Sequence, residues 1–277
     1  MKIIENQVYD EERALYGCDG VALIGCSFDG VRDGESALKE ARNIKAEACY
    51  FNLRYPFWHN YYVKIDKCGM SDKCRAPLWY CNDVMISESV MNGTKAVREC
   101  KDVVIKDTVI NSAEFGWFSN DINVKDSGIT SEYCMLKARN ITMNDVKFKG
   151  KYSFQYIENA TFENCEFFTK DAFWHANNVT VKNSVIEGEY LGWYSDGLTL
   201  INCKIIGTQP LCYCKNLKLV DCEMIGCDLS FEKSEVIATL TAPILSIKNP
   251  ISGEITAPKA DEIINEISNG NCIINVG

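Results

Sequence analysis

Residues 82–86 read Asn-Asp-Val-Met-Ile, and this pattern returns every 19 residues as far as about Gly226. Each copy opens with polar residues and then places an aliphatic anchor two residues before a second apolar side chain. The anchors are Val84, Val103, Ile122, Ile141, Ala160, Val179, Leu198 and Leu217. A fixed period of about this length indicates a repeat architecture, in which each copy forms one unit stacked on the next.

Each copy divides into three segments. The anchor segment alternates apolar and polar residues, which predicts a β-strand with one buried face. Asn or Asp follows four residues after most anchors, and these residue types favour a bend. A second predicted strand carries a small and then a large apolar residue, and a recurrent glycine after it predicts another bend. We call the nine residues before each anchor the third segment, and its register predicts a third strand.

Three short strands in a coil of this length describe a parallel β-helix, whose coils stack about 4.8 Å apart. A leucine-rich repeat has a similar period, but the Leu-x-x-Leu step that it needs is absent. Residues 36–42 have helical propensity, yet their register places them in a third segment and predicts a strand. We therefore expect one all-β domain over residues 1–277, with about twelve coils of 19 residues. Regular coils are predicted over 21–235, an N-terminal cap over 1–20, and irregular coils with a C-terminal cap over 236–277.

Composition narrows the classes of function. The net charge of −9 argues against nucleic acid as a partner, because phosphate binding needs a basic surface. No apolar run approaches the ~20 residues that span a membrane, and the N-terminus lacks the pattern of a signal peptide. We expect a cytoplasmic protein whose 15 cysteines are reduced and serve packing. Cys212 and Cys214 have no second pair of ligands, so neither a metal nor a cofactor is expected.

The third segments contain the residues that differ most from one copy of the repeat to the next. All five tryptophans and both histidines lie there, in columns shared with Arg98, Leu136 and Cys212. Flat aromatic rings beside charged and amide side chains suit an elongated sugar chain. The predicted ligand contacts are Arg54, Trp58, His59, Arg75, Trp79, Trp117, Gln155, Tyr156, Trp174, His175, Trp193 and Tyr194.

Two other interpretations stay open for these segments. Stacked rings and charge ladders also stabilise neighbouring strands, which would make the columns structural. The same rings could instead be buried between copies of a homo-oligomer. Catalysis would require paired carboxylates, for which neighbouring coils offer Glu114 with Glu132 and Asp171 with Glu189.

The sequence resembles a bacterial family of β-helix proteins known as domain of unknown function 3737. The segments that carry this resemblance are Glu12–Gly17, Asp33–Glu40, Leu53–His59, Glu114–Trp117, Lys151–Tyr156, Lys170–His175, Gly207–Cys214 and Ser246–Pro250. The resemblance covers nearly the whole chain and implies a right-handed parallel β-helix of the pectin-lyase-like group. That group includes polysaccharide lyases and hydrolases, whose Asp-Asp and Gly-His-Gly signatures are missing here.

The sequence thus favours a non-catalytic carbohydrate-binding or scaffold surface along the third segments, with a polysaccharide or oligosaccharide as the expected partner. A carbohydrate-active enzyme and a homo-oligomeric structural protein are the alternatives. Neither a nucleic-acid nor a membrane partner is expected.

Overall fold

The computed structural model describes residues 1–30, 35–266 and 270–277, and every regular element in these residues is a β-strand. The chain divides into two compact units, Met1–Ile141 and Thr142–Gly277. Each unit consists of parallel β-helix coils, and the described residues make about 14 turns of roughly 19 residues, where the sequence predicted twelve. The terminal segments add to the count because they too contribute strands that pair in parallel.

Unit 1 is built from short parallel strands that pair coil to coil. They are β1 (Lys2–Glu5), β2 (Val8–Tyr9), β3 (Asp19–Ile24), β4 (Ser27–Phe28), β5 (Arg42–Glu47), β6 (Tyr50–Phe51), β7 (Phe57–Trp58), β8 (Tyr61–Asp66), β9 (Gly69–Met70), β10 (Leu78–Trp79), β11 (Asn82–Ser87), β12 (Val90–Met91), β13 (Lys101–Lys106), β14 (Val109–Asn111) and β15 (Asn120–Glu132). The anchors are in register, since Val84 pairs with Val103 and Val103 with Ile122.

Unit 2 follows the same plan. Its strands are β16 (Arg139–Lys151), which begins before the boundary, β17 (Glu158–Glu163), β18 (Glu166–Lys170), β19 (Asn177–Lys182), β20 (Val185–Glu187), β21 (Asp196–Ile201), β22 (Lys204–Ile206), β23 (Leu217–Ile225), β24 (Glu235–Leu240), β25 (Ile244–Lys248), β26 (Ser252–Ala257), β27 (Ala260–Ile264) and β28 (Ile273–Val276). Ala160 pairs with Val179 and Val179 with Leu198, which repeats the register of unit 1.

The interior consists of columns of like residues. In unit 1 the rings of Phe28 and Phe51 stack with their centroids 5.0 Å apart. In unit 2 the rings of Phe154 and Phe173 stack at 5.3 Å, and both side chains are fully buried. Burying one such side chain contributes about 1.5–3 kcal/mol, so these columns are a main source of stability.

The bends predicted after the anchor strands are confirmed. Asp107 and Asp126 in unit 1, and Asn183 and Asn202 in unit 2, all have left-handed backbones with φ between 48° and 50°. Asn and Asp accept this conformation more readily than most residues do. At Asn202 the side-chain amide also donates to Oδ1 of Asn183 on the preceding coil, at 2.8 Å. At this position the bend residue is therefore also bonded to its counterpart on the preceding coil.

The prediction of a strand in every third segment is wrong, and so is the strand predicted over residues 36–42. Phe57–Trp58 and Leu78–Trp79 form short strands of this kind, and so does Ile244–Lys248, whose Ile247 bridges Ser230 of the coil before it; the third segments between Lys95 and Tyr213 are runs of tight turns. Their alternate residues are left-handed, as at Asp171, Phe173 and His175, with φ of 53–59°. Alternating left-handed residues shorten the chain below the extended length of a strand.

Hydrogen bonds between coils hold these turns in place. The N–H of Asp171 donates to the carbonyl of Glu189, and that of His175 donates to the carbonyl of Trp193, each at 3.0 Å. The N–H of Phe173 points in the opposite direction and donates to the backbone carbonyl of Ser153 on the preceding coil, also at 3.0 Å. A left-handed residue costs about 1–2 kcal/mol, a cost that these bonds offset.

The bend glycine at Gly188 is required by the close approach of two coils. A Cβ atom there would lie 1.3 Å from the carbonyl oxygen of Thr169, and its φ of +152° is a conformation nearly restricted to glycine. We expect Gly188→Ala to destabilise the protein by about 3 kcal/mol or more, read from the urea midpoint of unfolding. Gly128→Ala is the matched control, because a Cβ at Gly128 meets nothing within 4 Å. Equal midpoints for the two variants would contradict this assignment.

Candidate binding face

The predicted ligand contacts fall into two groups, one in each unit. Unit 1 holds Arg54, Trp58, His59, Arg75, Trp79 and Trp117, and unit 2 holds Gln155, Tyr156, Trp174, His175, Trp193 and Tyr194. In both groups the tryptophans are half-buried and the residue that follows each of them is exposed. The turns of the third segments thus set two neighbouring columns at different depths.

The outer column of unit 2 is a continuous stack of rings, which we call the tyrosine–histidine ladder: Tyr156, His175, Tyr194 and Tyr213, of which the first three are exposed and the last is half-buried. Successive ring centroids are 4.8, 5.0 and 4.8 Å apart, and successive planes differ by 7°, 9° and 11°. The exposed fraction is 46% for both Tyr156 and Tyr194. Because each ring covers the face of the next, the ladder presents mainly ring edges to solvent.

The inner column of unit 2 uses its polar groups internally. The indoles of Trp174 and Trp193 stack at 5.4 Å with planes 4° apart. The indole N–H of Trp174 donates to the carbonyl of Tyr190, and that of Trp193 donates to the carbonyl of Gln209, both at 2.7 Å. These tryptophans therefore brace adjacent coils and have no free N–H to offer a ligand.

In unit 1 the tryptophan column is interrupted by cations. Trp58 and Trp79 stack at 5.2 Å. The Lys39 Nζ lies 4.2 Å from the ring centroid of Trp58, and the Arg98 guanidinium lies 5.7 Å from that of Trp79 and 5.5 Å from that of Trp117. Each cation–π contact contributes about 0.5–1 kcal/mol or more. The ring faces in this column are therefore occupied by neighbours in the protein.

The other predicted contacts of unit 1 are largely engaged in ion pairs. Arg54 pairs with Glu35 at 3.2 Å, and the His59 Nδ1 lies 2.9 Å from a carboxylate oxygen of Glu40. Arg75 is exposed. Exposed pairs of this kind contribute little to stability, but they fix the direction of the side chains.

In the first carboxylate pair, Glu114 lies beside two cations. Glu114 lies 3.3 Å from the Lys95 Nζ and 3.8 Å from an Arg98 nitrogen. Glu132, on the next coil, is exposed, and its backbone carbonyl accepts the N–H of Glu114 at 2.8 Å. Glycoside cleavage needs one protonated acid and one available carboxylate beside the sugar. Glu114, held between two cations, suits neither role.

The second pair combines one exposed carboxylate with one hidden carboxylate. Glu189 is bound by the Lys170 Nζ at 2.9 Å, and this hydrogen bond raises the pKa of Lys170. Burial raises the pKa of Asp171, an effect that Lys170 opposes and Glu189 reinforces. Only 5% of the Asp171 surface is exposed, so a sugar chain cannot reach its carboxyl group.

The cysteines serve packing in the described residues. All except Cys18 and Cys272 are buried, and none forms a disulfide. Burial raises the pKa of Cys212 to about 12 and that of Cys214 to about 11, which disfavours the thiolate that a metal would need. The described residues contain no group of three or more His, Cys, Asp or Glu side chains suited to a metal ion. They also contain no helix long and apolar enough to cross a membrane.

Four residues join the face that the predicted contacts did not include. Tyr213 completes the ladder, and Tyr190 packs edge-on against Trp193 at 5.3 Å. Lys39 and Arg98 occupy tryptophan positions and cover the neighbouring indoles. The positions of Lys39 and Arg98 in the repeat could have identified them from the sequence, because a cation that replaces an aromatic residue in a stacked column faces the rings above and below it.

The raised pKa of Asp171 predicts how the stability of the folded protein depends on pH. Because its folded-state pKa lies above the ordinary value, the ionised carboxylate lowers stability above the folded-state pKa, and this cost disappears below the ordinary value of about 3.9. We expect Asp171→Asn to raise the melting temperature at pH 7, with a gain that shrinks as the pH falls towards 4. A gain that stays constant with pH would assign the effect to the preference of Asn for the left-handed backbone at this position.

The chain belongs to the family described as Protein of unknown function (DUF3737), whose model matches residues 2–275. No curated protein matches the chain. Among solved structures it is similar to PfbA, a surface adhesin of Streptococcus pneumoniae, with a TM-score of 0.53 and 6% identity over 86% of each chain. It is also similar to the A-module of the Azotobacter vinelandii mannuronan C-5 epimerase AlgE4, with a TM-score of 0.39 and 10% identity over 86% of this chain and 89% of that one. The fold is a right-handed, pectin-lyase-like β-helix.

Proposed function

We propose that this protein is a non-catalytic carbohydrate-binding protein that holds an elongated polysaccharide along the tyrosine–histidine ladder. The observation that carries the proposal is the ladder itself, with four aromatic rungs at 4.8–5.0 Å, three of them exposed and the fourth half-buried. Tyrosine hydroxyls and an imidazole repeat along it at an almost constant interval. A polymer with hydroxyl groups on every unit can bond to several rungs at once.

Repetition gives such a surface its affinity. One hydrogen bond contributes only about 0.5–1.5 kcal/mol net, which is too little to hold a single sugar. Contacts on adjacent rungs act together once the first is made, because the remaining contacts then become intramolecular. A polymer therefore suits the ladder better than a monosaccharide does.

The state of the candidate acids supports binding rather than cleavage. Glu114 and Glu189 are ion-paired, and Asp171 is buried. The stacked indoles of Trp174 and Trp193 pack within the chain, so they need no second copy to cover their stacked faces. One protein with a similar fold, PfbA, is a surface adhesin, a role that requires binding alone.

The test is retention of the protein in native gels that contain soluble polysaccharides. The double variant Tyr156→Phe with Tyr194→Phe removes two hydroxyls and keeps both rings stacked. We expect it to lose about tenfold or more in affinity, since each net hydrogen bond is worth about 1 kcal/mol. Tyr62→Phe is the matched control, because Tyr62 is 60% exposed and lies on an anchor strand of unit 1.

Two further readouts separate binding from catalysis. Incubation with a retained polysaccharide should release no new reducing ends and no unsaturated products, and Glu189→Gln should leave retention unchanged. If no polysaccharide retards the protein, or if Tyr62→Phe weakens binding as much as the ladder variant does, the proposal fails. Release of sugar ends that Glu189→Gln abolishes would support the enzyme instead.

A further inference from the structure

We infer that the polysaccharide is an uncharged, straight β-1,4-linked chain that lies along the tyrosine–histidine ladder with one sugar to each coil. This inference rests on the proposed function and adds the linkage and the charge of the ligand. It follows from the regular spacing of the ladder, the direction of its rings and the net negative charge of the protein.

The ladder is regularly spaced because the coils that carry it pair in register, and its successive rings are within 7–11° of parallel. β19 and β21 pair residue for residue, and the coils that carry His175 and Tyr194 are joined by the bond from the His175 N–H to the Trp193 carbonyl. The three ring spacings differ by only 0.2 Å, from 4.8 to 5.0 Å. A ligand that meets all four rungs must therefore advance by about the strand spacing of 4.8 Å at each unit, and the nearly parallel rings favour a ligand that curves little.

A β-1,4-linked pyranose chain has this form. Its two linking bonds leave opposite ends of each ring equatorially, so the chain extends as a flat ribbon that advances by close to one strand spacing per sugar. An α-1,4-linked glucan curves into a helix and leaves a straight row of rungs after one or two sugars. The spacing between coils therefore favours a β-1,4-linked chain over an α-1,4-linked one.

The stacking of the rings determines how the chain is recognised. Since the faces of Tyr156, His175 and Tyr194 cover one another, a sugar meets edges and hydroxyls rather than an open aromatic surface. The affinity must then come from hydrogen bonds that are added rung by rung. It should increase with chain length until the four rungs are filled.

The charge of the protein disfavours acidic polysaccharides. The chain carries a net charge of −9. Asp196 follows Tyr194 by two residues in the sequence and accepts a hydrogen bond from Asn216 at 2.8 Å, whereas Lys215 follows Tyr213 by two residues. The carboxylate of Asp196 is an acceptor for hydroxyl groups, and the net negative charge of the protein repels carboxylates. An uncharged chain is therefore favoured over a uronate.

Isothermal titration of the full-length protein with cello-oligosaccharides tests the inference. We expect affinity to increase about fivefold for each sugar from the disaccharide to the tetrasaccharide, as one net hydrogen bond is added each time, and then to level off. Tyr194→Phe should weaken cellohexaose binding about fivefold, and Tyr62→Phe should leave it unchanged. Added salt should have little effect.

Two hexasaccharides separate linkage from charge. Maltohexaose is uncharged but curved, and β-1,4-linked hexamannuronate is straight but charged, and both should bind at least tenfold more weakly than cellohexaose. The inference would be overturned if maltohexaose bound as tightly as cellohexaose, or if the mannuronate bound more tightly. The proposed function would still stand if Tyr194→Phe weakened that binding. If no oligosaccharide in this set binds and no polysaccharide retards the protein in gels, both fail.

Discussion

The structure depends on parallel hydrogen bonding between successive coils in a constant register. Pairs such as Val84 with Val103, or Val179 with Leu198, place equivalent positions directly above one another. Since neighbouring strands lie about 4.8 Å apart, each position becomes a column in which a residue meets its own counterparts. Residues that stabilise one another when stacked are therefore favoured: Phe inside, Asn at the bends, and Tyr, His or Trp on the third segments.

This register also decides what the aromatic columns can offer to a partner. A ring that stacks on its neighbours stabilises the coils but loses its faces for binding. Trp58 and Trp79 show this most fully, because Lys39 and Arg98 cover the two ends of their stack. Open aromatic faces, the feature that first suggested a sugar site, are thus largely absent from the described columns. Exposed edges replace them, in a periodic arrangement that follows the coils.

Much of this fold could be predicted from the sequence, because the anchor strands and bends depend on local patterns. Alternating apolar residues and short polar side chains identify both without knowledge of the rest of the chain. The turns of the third segments could not be predicted in this way. Left-handed backbones at Tyr156 and Phe173 contradict local preference and are held by hydrogen bonds between coils. The members of each column were predictable, but the direction of each side chain depends on those turns.

The same periodicity bears on the choice between binding and catalysis. A catalytic centre needs a local exception, an acid or base whose surroundings differ from those of its neighbours. In the third segments the repeat places cations beside two of the candidate acids, Lys95 at Glu114 and Lys170 at Glu189. These ion pairs give the two acids the ordinary surroundings of a surface salt bridge. Asp171 has unusual surroundings, but the same packing that raises its pKa hides it from a substrate. Binding of a repeating polymer needs no exception, because a periodic surface recognises a periodic ligand through the regularity that builds the fold.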